Sequence, residues 1–242
     1  DELQIEHAIS REALRLALIH HKSLATGLKG VQQERTISDV FEQQTSGKTL
    51  IDMLKLDLIV GSGGILSHAP RRIQSMVMMV DAYEPVGFTR LSVDSIFMMP
   101  HLGVLSTIDE KAATDVFVRD CMVYLGTCVA PIGQGKDGER CADYEIVFPD
   151  GKTVTDQLKF GDLRLYPLEL GKKATVTMQP AKAVTLGAGA GGTVTREVQG
   201  GAVGLILDGR GRPLQLPSDQ QARIAALTKW FSAVGLYPNE SR

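Results

Sequence analysis

The segment Leu58-Ile59-Val60-Gly61-Ser62-Gly63-Gly64-Ile65-Leu66-Ser67-His68-Ala69-Pro70 constrains the fold of this chain more than any other. An apolar run enters a glycine turn, and Pro70 suits the first turn of a helix running to about Ala82. Glycine lacks a Cβ, so the backbone can turn sharply there and a ligand can approach it closely. Strand, glycine turn and helix start in this order suit a nucleotide site, and equally a turn that binds nothing. The apolar run over 54–60 predicts a strand buried on both faces, as in a parallel sheet covered by helices. The next strand is expected over 88–93, so strand, helix and strand imply a right-handed parallel crossover.

Two familiar nucleotide motifs fail on spacing. The dinucleotide fingerprint needs a third glycine where Leu66 stands, and an acid ending the second strand roughly 20 residues on. Asp81 has the separation but falls at the end of the helix, whereas Asp94 ends the strand but lies too far along. No Gly-Lys-Ser/Thr follows the turn, so it is not a P-loop. Asp94 stands where open α/β sheets place ligand-binding groups, or else caps a helix. His68 and His101 are the nearest histidines, each suited to a ligand or to local hydrogen bonding. The sequence holds no Ser-His-Asp set, HExxH or metal-ligand cluster, so no catalytic residue and no metal are assigned.

The chain opens with an amphipathic helix over 3–23, with Ile5, Ile9, Leu16 and Ile19 as its apolar stripe and Glu6, Arg11 and Arg15 toward water. Gly27 and Gly30 end it, a short helix starts near Ser38, and Ser46-Gly47-Lys48 breaks that helix. Thr107 to Glu110 has capping-box spacing for a helix to about Arg119. After Asp120, Val, Thr, Gly and Pro dominate. Strands are expected over 144–148, 153–155, 162–166, 175–179, 194–198 and 203–207. Pro149-Asp150-Gly151-Lys152 is a hairpin turn, and 186–192 is a glycine-rich hairpin loop or a backbone anion site. Arg210 and Arg212 read as solvated turn charges or as binders of phosphate or carboxylate. A last helix over 218–234, capped by Ser218, buries Ile224, Leu227, Trp230 and Phe231. The fold class is therefore α/β followed by mainly β: an α/β part over 1–124, a β-rich module over 125–216 and a C-terminal helix over 217–242.

Composition narrows the partners. The 242 residues are 43% hydrophobic, enough for a substantial core. A formal net charge of −2, with no basic block, argues against a nucleic-acid partner. Cys121, Cys128 and Cys141 show no CxxC spacing, which suits reduced thiols in a cytoplasmic protein. No apolar run approaches the about 18 residues of a membrane span, and the charged first residues are not a signal peptide.

Three stretches together resemble a known family. Residues 56–72 and 91–106, the latter Leu-Ser-Val-Asp-Ser-Ile-Phe-Met-Met-Pro-His-Leu-Gly-Val-Leu-Ser, look like the MutL/GlmL family encoded beside adenosylcobalamin-dependent glutamate mutase. Residues 204–214, Gly-Leu-Ile-Leu-Asp-Gly-Arg-Gly-Arg-Pro-Leu, resemble its late signature. The mismatch-repair MutL shares the name only. The resemblance implies an actin-like ATPase (ribonuclease H-like) fold in which residues 60–64 are the adenosine motif. Gly61, Gly63 and Gly64 would then pack on the nucleotide, with Ser62, Ile65 and Ser67 as their neighbours. It further implies ATP with Mg in the full-length protein, a chaperone or reactivating role, and mutase subunits as partners besides ATP and ADP. Such ATPases carry two Asp-x-Gly phosphate hairpins ahead of the adenosine motif, and none precedes Gly61. The chain therefore reads as the C-terminal portion of a longer protein, binding ATP weakly and inactive alone, since phosphoryl transfer depends on held phosphates. The alternatives are an interaction module with no nucleotide binding of its own and, less favoured, a nucleotide-cofactor oxidoreductase.

Overall fold

The computed structural model describes residues 2–28, 45–49 and 51–237. Helix α1 (Glu2–Leu24) leads into β1 (Thr26–Leu28), which pairs antiparallel with β2 (Thr45–Thr49). The helix expected from Ser38, and Gly30, lie outside the described residues; Gly27 lies in β1, and Ser46 to Lys48, read as a break, lie in β2. Then come β3 (Leu58–Gly61), α2 (Gly64–Ser67), α3 (Arg72–Tyr83), β4 (Gly87–Asp94), α4 (Met99–Leu105), α5 (Glu110–Val116) and β5 (Met122–Ala130). The second half supplies β6 (Arg140–Val147), β7 (Thr153–Lys159), β8 (Leu163–Tyr166), β9 (Lys173–Pro180), β10 (Val194–Gln199), β11 (Gly204–Asp208) and α6 (Gln220–Ala233). One mixed sheet has the order β3-β4-β5-β11-β8, and an antiparallel sheet the order β10-β9-β6-β7. The fold is α/β, with β3 and β4 parallel across α3 as the crossover requires.

The sheets and helices stack in layers. Adjacent residues of a strand face opposite sides. Cys128 and Ile206 thus join the helical side, with Met76, Met79, Leu91, Trp230 and Leu236. Val129, Leu205 and Leu207 join the other side, with Ile146, Leu158, Val176 and Met178 of the antiparallel sheet. Helix α3 is buried nearly all round because the sheet covers one side and α1 and the C-terminal segment the other.

Several expectations need correction. Strand β3 begins only at Leu58, after a 3₁₀ turn (Met53–Lys55) capped by Asp52, and it is the sheet's edge. Leu58 is 37% exposed, so the strand is not buried on both faces. Helix α1 has the expected span but the opposite orientation. Ile5 and Ile9 are 62% and 65% exposed and Leu16 and Ile19 are exposed, while His7 is buried and Leu14 packs on the core. Periodicity marks a stripe but not which neighbours await it. Here Asp81 of α3 holds Arg11 inward (Nε–Oδ2 3.0 Å), and Tyr237 holds His7 (2.9 Å).

Helix α3 starts two residues beyond Pro70, where Gln74 Oε1 accepts from the Arg71 N–H at 3.0 Å. Asp109, not Thr107, caps α5 by accepting from the Ala112 N–H at 2.9 Å, and the helix passes into a π turn (Phe117–Cys121). Asp219, not Ser218, caps α6 at 2.8 Å, and Ile224 is exposed. All six expected strands occur, and Phe148 and Lys152 close the expected hairpin turn at 2.8 Å. Residues 163–166 and 204–208, however, belong to the mixed sheet with β3 and β4.

Strand β5 was not legible, and its centre shows why. Gly126 pairs with Gly204 of β11 at φ +137°, and a Cβ there would lie 1.8 Å from the Gly204 carbonyl oxygen. The expected boundary between residues 124 and 125 falls inside this strand. The three cysteines are free and buried, and burial first of all pushes the Cys128 and Cys141 thiols up to about 12. No described helix is long and apolar enough to cross a membrane.

Candidate functional site

The glycine turn stands at the carboxyl ends of the parallel strands β3 and β4, where open α/β sheets bind ligands. Its glycines do different work. A Cβ on Gly61 would lie 2.8 Å from Leu66 Cδ1 and 2.9 Å from Met79 Sδ, so Gly61 lets α2 and α3 pack onto the strand end. Gly63 turns the chain at φ +109°, a conformation L side chains rarely adopt, and its carbonyl accepts from Leu66 (3.1 Å) and Ser67 (2.9 Å) to start α2. A Cβ on Gly63 or Gly64 would meet nothing within 4 Å, so this backbone lies bare toward open space. Ile65 turns inward and packs against the core beside fully buried Leu66.

The two serines hold the turn rather than reach outward. Ser62 Oγ donates to Asp94 Oδ2 at 3.3 Å, and Ser67 Oγ donates to the Asp94 carbonyl at 2.5 Å. Fully buried Asp94 also accepts the N–H groups of Met98 (3.0 Å) and Met99 (2.8 Å) at the start of α4. Burial pushes its carboxyl up, but these donors, Met99 foremost, outweigh burial and hold it below the usual carboxylate range. Asp94 is thus the latch between the glycine turn and α4, the capping role of the two read from its position.

Beside the turn, a cleft of about 210 Å³ separates it from the first turns of α1. Leu3 and His7 line it from α1, and Gly64, Ile65, His68 and Pro70 from the opposite wall. His68 is exposed on its rim, whereas His101 is exposed on α4 and does not line it. His7 has no exposed surface. Its Nδ1 meets Tyr237 Oη at 2.9 Å, and its Nε2 has no hydrogen-bond partner among the described residues. Burial, aided by nearby Arg11 and opposed by Glu6, lowers its pKa and favours the neutral ring. Nothing in the sequence marked His7 beyond its helical position.

Arg210 and Arg212 are not solvated turn charges. Asp208 accepts from Arg210 Nε (2.9 Å) and Nη2 (2.8 Å) and from Arg212 Nη2 (2.6 Å), and all three residues are buried. Arg210 Nη1 also meets Asp81 Oδ1 at 2.8 Å, and the guanidinium lies over the Trp230 ring at 5.1 Å. Asp81, the acid with dinucleotide spacing, is therefore engaged by Arg11 and Arg210 and does not face a ribose site. Burial raises the Asp208 carboxyl, but Arg210 and Arg212 hold it far below the usual range. Asp-x-Arg-x-Arg is visible in sequence; its partner Asp81, 127 positions from Asp208, is not. Cavities of about 610 Å³ flank this network, but they do not touch the glycine turn, and the charges on their floors are already paired. Among the described residues no three His, Cys, Asp or Glu could hold a metal ion.

A parallel crossover whose first strand ends in a bare glycine turn makes this an α/β protein with that turn at the carboxyl edge of its sheet. Residues 1–121 match the family model described as MutL protein, and the chain belongs to that family, the GlmL type and not the mismatch-repair MutL. No curated protein and no solved structure matches the chain.

Proposed function

We propose that this chain is the adenosine-side portion of an actin-like, ATP-binding reactivating factor that serves an adenosylcobalamin-dependent mutase, glutamate mutase in the first instance. The observation that carries the nucleotide reading is the bare Gly63-Gly64 backbone facing open space beside a cleft at the strand ends. Family membership supports the rest. The residues suit the nucleoside end: Gly63 and Gly64 would lie against it, Ile65 and Pro70 would bound it, and Ser62 and Ser67 would keep the turn rigid through Asp94. The cleft's described lining contains no lysine or arginine, so Mg and the phosphates would be held by other parts of the full-length protein. ATP, when bound, would favour one arrangement of two lobes by its differential affinity, and so change the grip on the mutase.

Melting the chain with ATP, ADP and NAD tests this. A ligand at 100 times its Kd adds about 2.7 kcal/mol to stability. Adenine nucleotides should stabilise the chain, and Gly64→Leu should remove that effect without lowering the unliganded melting temperature, because its side chain enters open space. No shift with ATP or ADP at millimolar concentration, or saturable binding of NAD instead, would sink the reading. The alternative of an interaction module draws on the exposed Ile5, Ile9, Leu16 and Ile19 of α1. It predicts that mutase subunits are retained by the chain irrespective of nucleotide.

A further inference from the structure

Helix α1 turns its isoleucine stripe away from the body of the chain. At about 3.6 residues per turn, Ile5, Ile9 and Leu16 fall within an arc of about 40° on the outer side, with Ile19 at one edge and exposed Ala13 at the other. Each of the four large side chains is at least half exposed. We infer that this stripe pairs with the same stripe of a second copy, the two α1 helices running antiparallel in an isologous contact.

Charge selects the occupant. Glu2 and Glu6 stand exposed at the start of the helix, and His20 and His21 at its end. No ion pair or side-chain hydrogen bond engages these four side chains among the described residues. A second α1 laid antiparallel brings the acids of each copy to the imidazoles of the other, and does so twice by symmetry. A parallel pair would set acid against acid. An anionic lipid surface selects Lys and Arg beside an apolar stripe, and the acids of α1 repel it.

The register follows from the stripe. With the two-fold axis between residues 12 and 13, Ile9 meets Leu16 of the second copy, Ile5 meets Ile19, and Glu6 comes beside His20. Small Ala13 then lies near the axis and lets the helices approach closely. Glu12 meets its own copy there, but Arg15 already holds each Glu12 at 2.6 and 2.8 Å, so two neutral pairs are juxtaposed. Helix α1 has 23 residues and is about 34 Å long. Pairing two such faces removes on the order of 1,000 Å² from water, the small end for a specific interface. The dimer is therefore weak and concentration-dependent, with a Kd of micromolar order.

Sedimentation velocity of the 242-residue chain tests this. From about 1 to 200 µM the chain should pass from monomer to dimer. Ile9→Gln/Leu16→Gln should weaken the dimer at least about thirtyfold, since four apolar side chains lose their cover. Both positions are exposed, so the variant should melt as the parent does. Glu6→Lys and His20→Glu should each weaken the dimer, and their equimolar mixture should dimerise more tightly than either alone, because the altered charges match only between unlike copies. Ala13→Cys should cross-link two copies under mild oxidation and Glu2→Cys should not, the three native cysteines being buried. A chain still monomeric at the highest concentration, or a dimer indifferent to Ile9→Gln/Leu16→Gln, overturns the inference. A mixture no tighter than its components refutes the antiparallel pairing. A monomeric chain whose stripe retains mutase subunits, and loses them in Ile9→Gln/Leu16→Gln, assigns the stripe to that partner instead. The nucleotide reading stands apart from all of these outcomes.

Discussion

Replacing Asp208 by asparagine probes the buried network with almost no change of shape. Arg11, Arg210 and Arg212 place three guanidiniums on two carboxylates, Asp81 and Asp208. Asp208 has no exposed surface and takes four contacts: the Arg210 backbone N–H (3.0 Å), Arg210 Nε and Nη2, and Arg212 Nη2. Asp208→Asn leaves buried Arg210 and Arg212 and half-buried Arg11 facing one carboxylate, with Arg212 kept by the carbonyls of Pro85 (3.2 Å) and Gly211 (2.9 Å). Removing one partner of a buried pair costs about 3–5 kcal/mol. At roughly 2–4 °C per kcal/mol for a chain of this size, the melting temperature should fall by about 6–20 °C. Urea unfolding followed by circular dichroism gives the free energy directly. The companion variant Asp208→Asn/Arg212→Met removes one of the stranded cations, so the pair should couple by more than about 1 kcal/mol. A loss below about 1 kcal/mol for Asp208→Asn, or strict additivity in the double variant, would refute the claim that these charges depend on one another.

Glycine substitutions should separate sharply. Gly126→Ala sets a Cβ against the Gly204 backbone at φ +137°, which no rotamer relieves, and should cost more than about 3 kcal/mol by chemical denaturation. Gly103→Ala, in α4 with nothing within 4 Å, should be neutral or stabilise by up to about 1 kcal/mol. The folded chain should not react with a thiol reagent at Cys128 or Cys141 near neutral pH, and both should label in denaturant. His7 gives a pH dependence of fixed sign. Its folded pKa lies below its unfolded value of about 6.5, so the unfolded chain binds the extra proton first. Its contribution is full above about 6.5 and is lost as pH falls toward the folded value. The melting temperature should drop between about pH 7.5 and 5.5, and drop less in His7→Asn.

Sequence pattern revealed elements better than their neighbours. The crossover over β3, α3 and β4 was legible because glycine and proline punctuate it and because the run Met76 to Val80 in α3 is apolar. The six strands after Asp120 followed from their β-branched runs and turns. Strand β5 escaped because Gly126 interrupts it where two backbones touch, a fact that exists only across β11. Helix α1 shows the limit of periodicity: an isoleucine stripe and a His-Arg stripe share one period, and the distant partners Asp81 and Tyr237 decided which turned inward. In the site, the bare glycines were legible from residue type alone. The engagement of Ser62 and Ser67 by Asp94 was not, because the acid lies 32 positions from Ser62 and 27 from Ser67.

The place of β5 changes what can be done to this gene. The family model ends at residue 121 and β5 begins at Met122, so a deletion at that border looks like a clean excision of a module. It would instead strip β4 of its antiparallel neighbour and remove three of the five strands of the mixed sheet. The stump would present β4 as a raw hydrogen-bonding edge, a template for pairing with further copies of itself. Truncation mapping across that border would then report aggregation in place of lost binding. The recognised and unrecognised stretches of this chain have to be inherited, expressed and mutated as one piece.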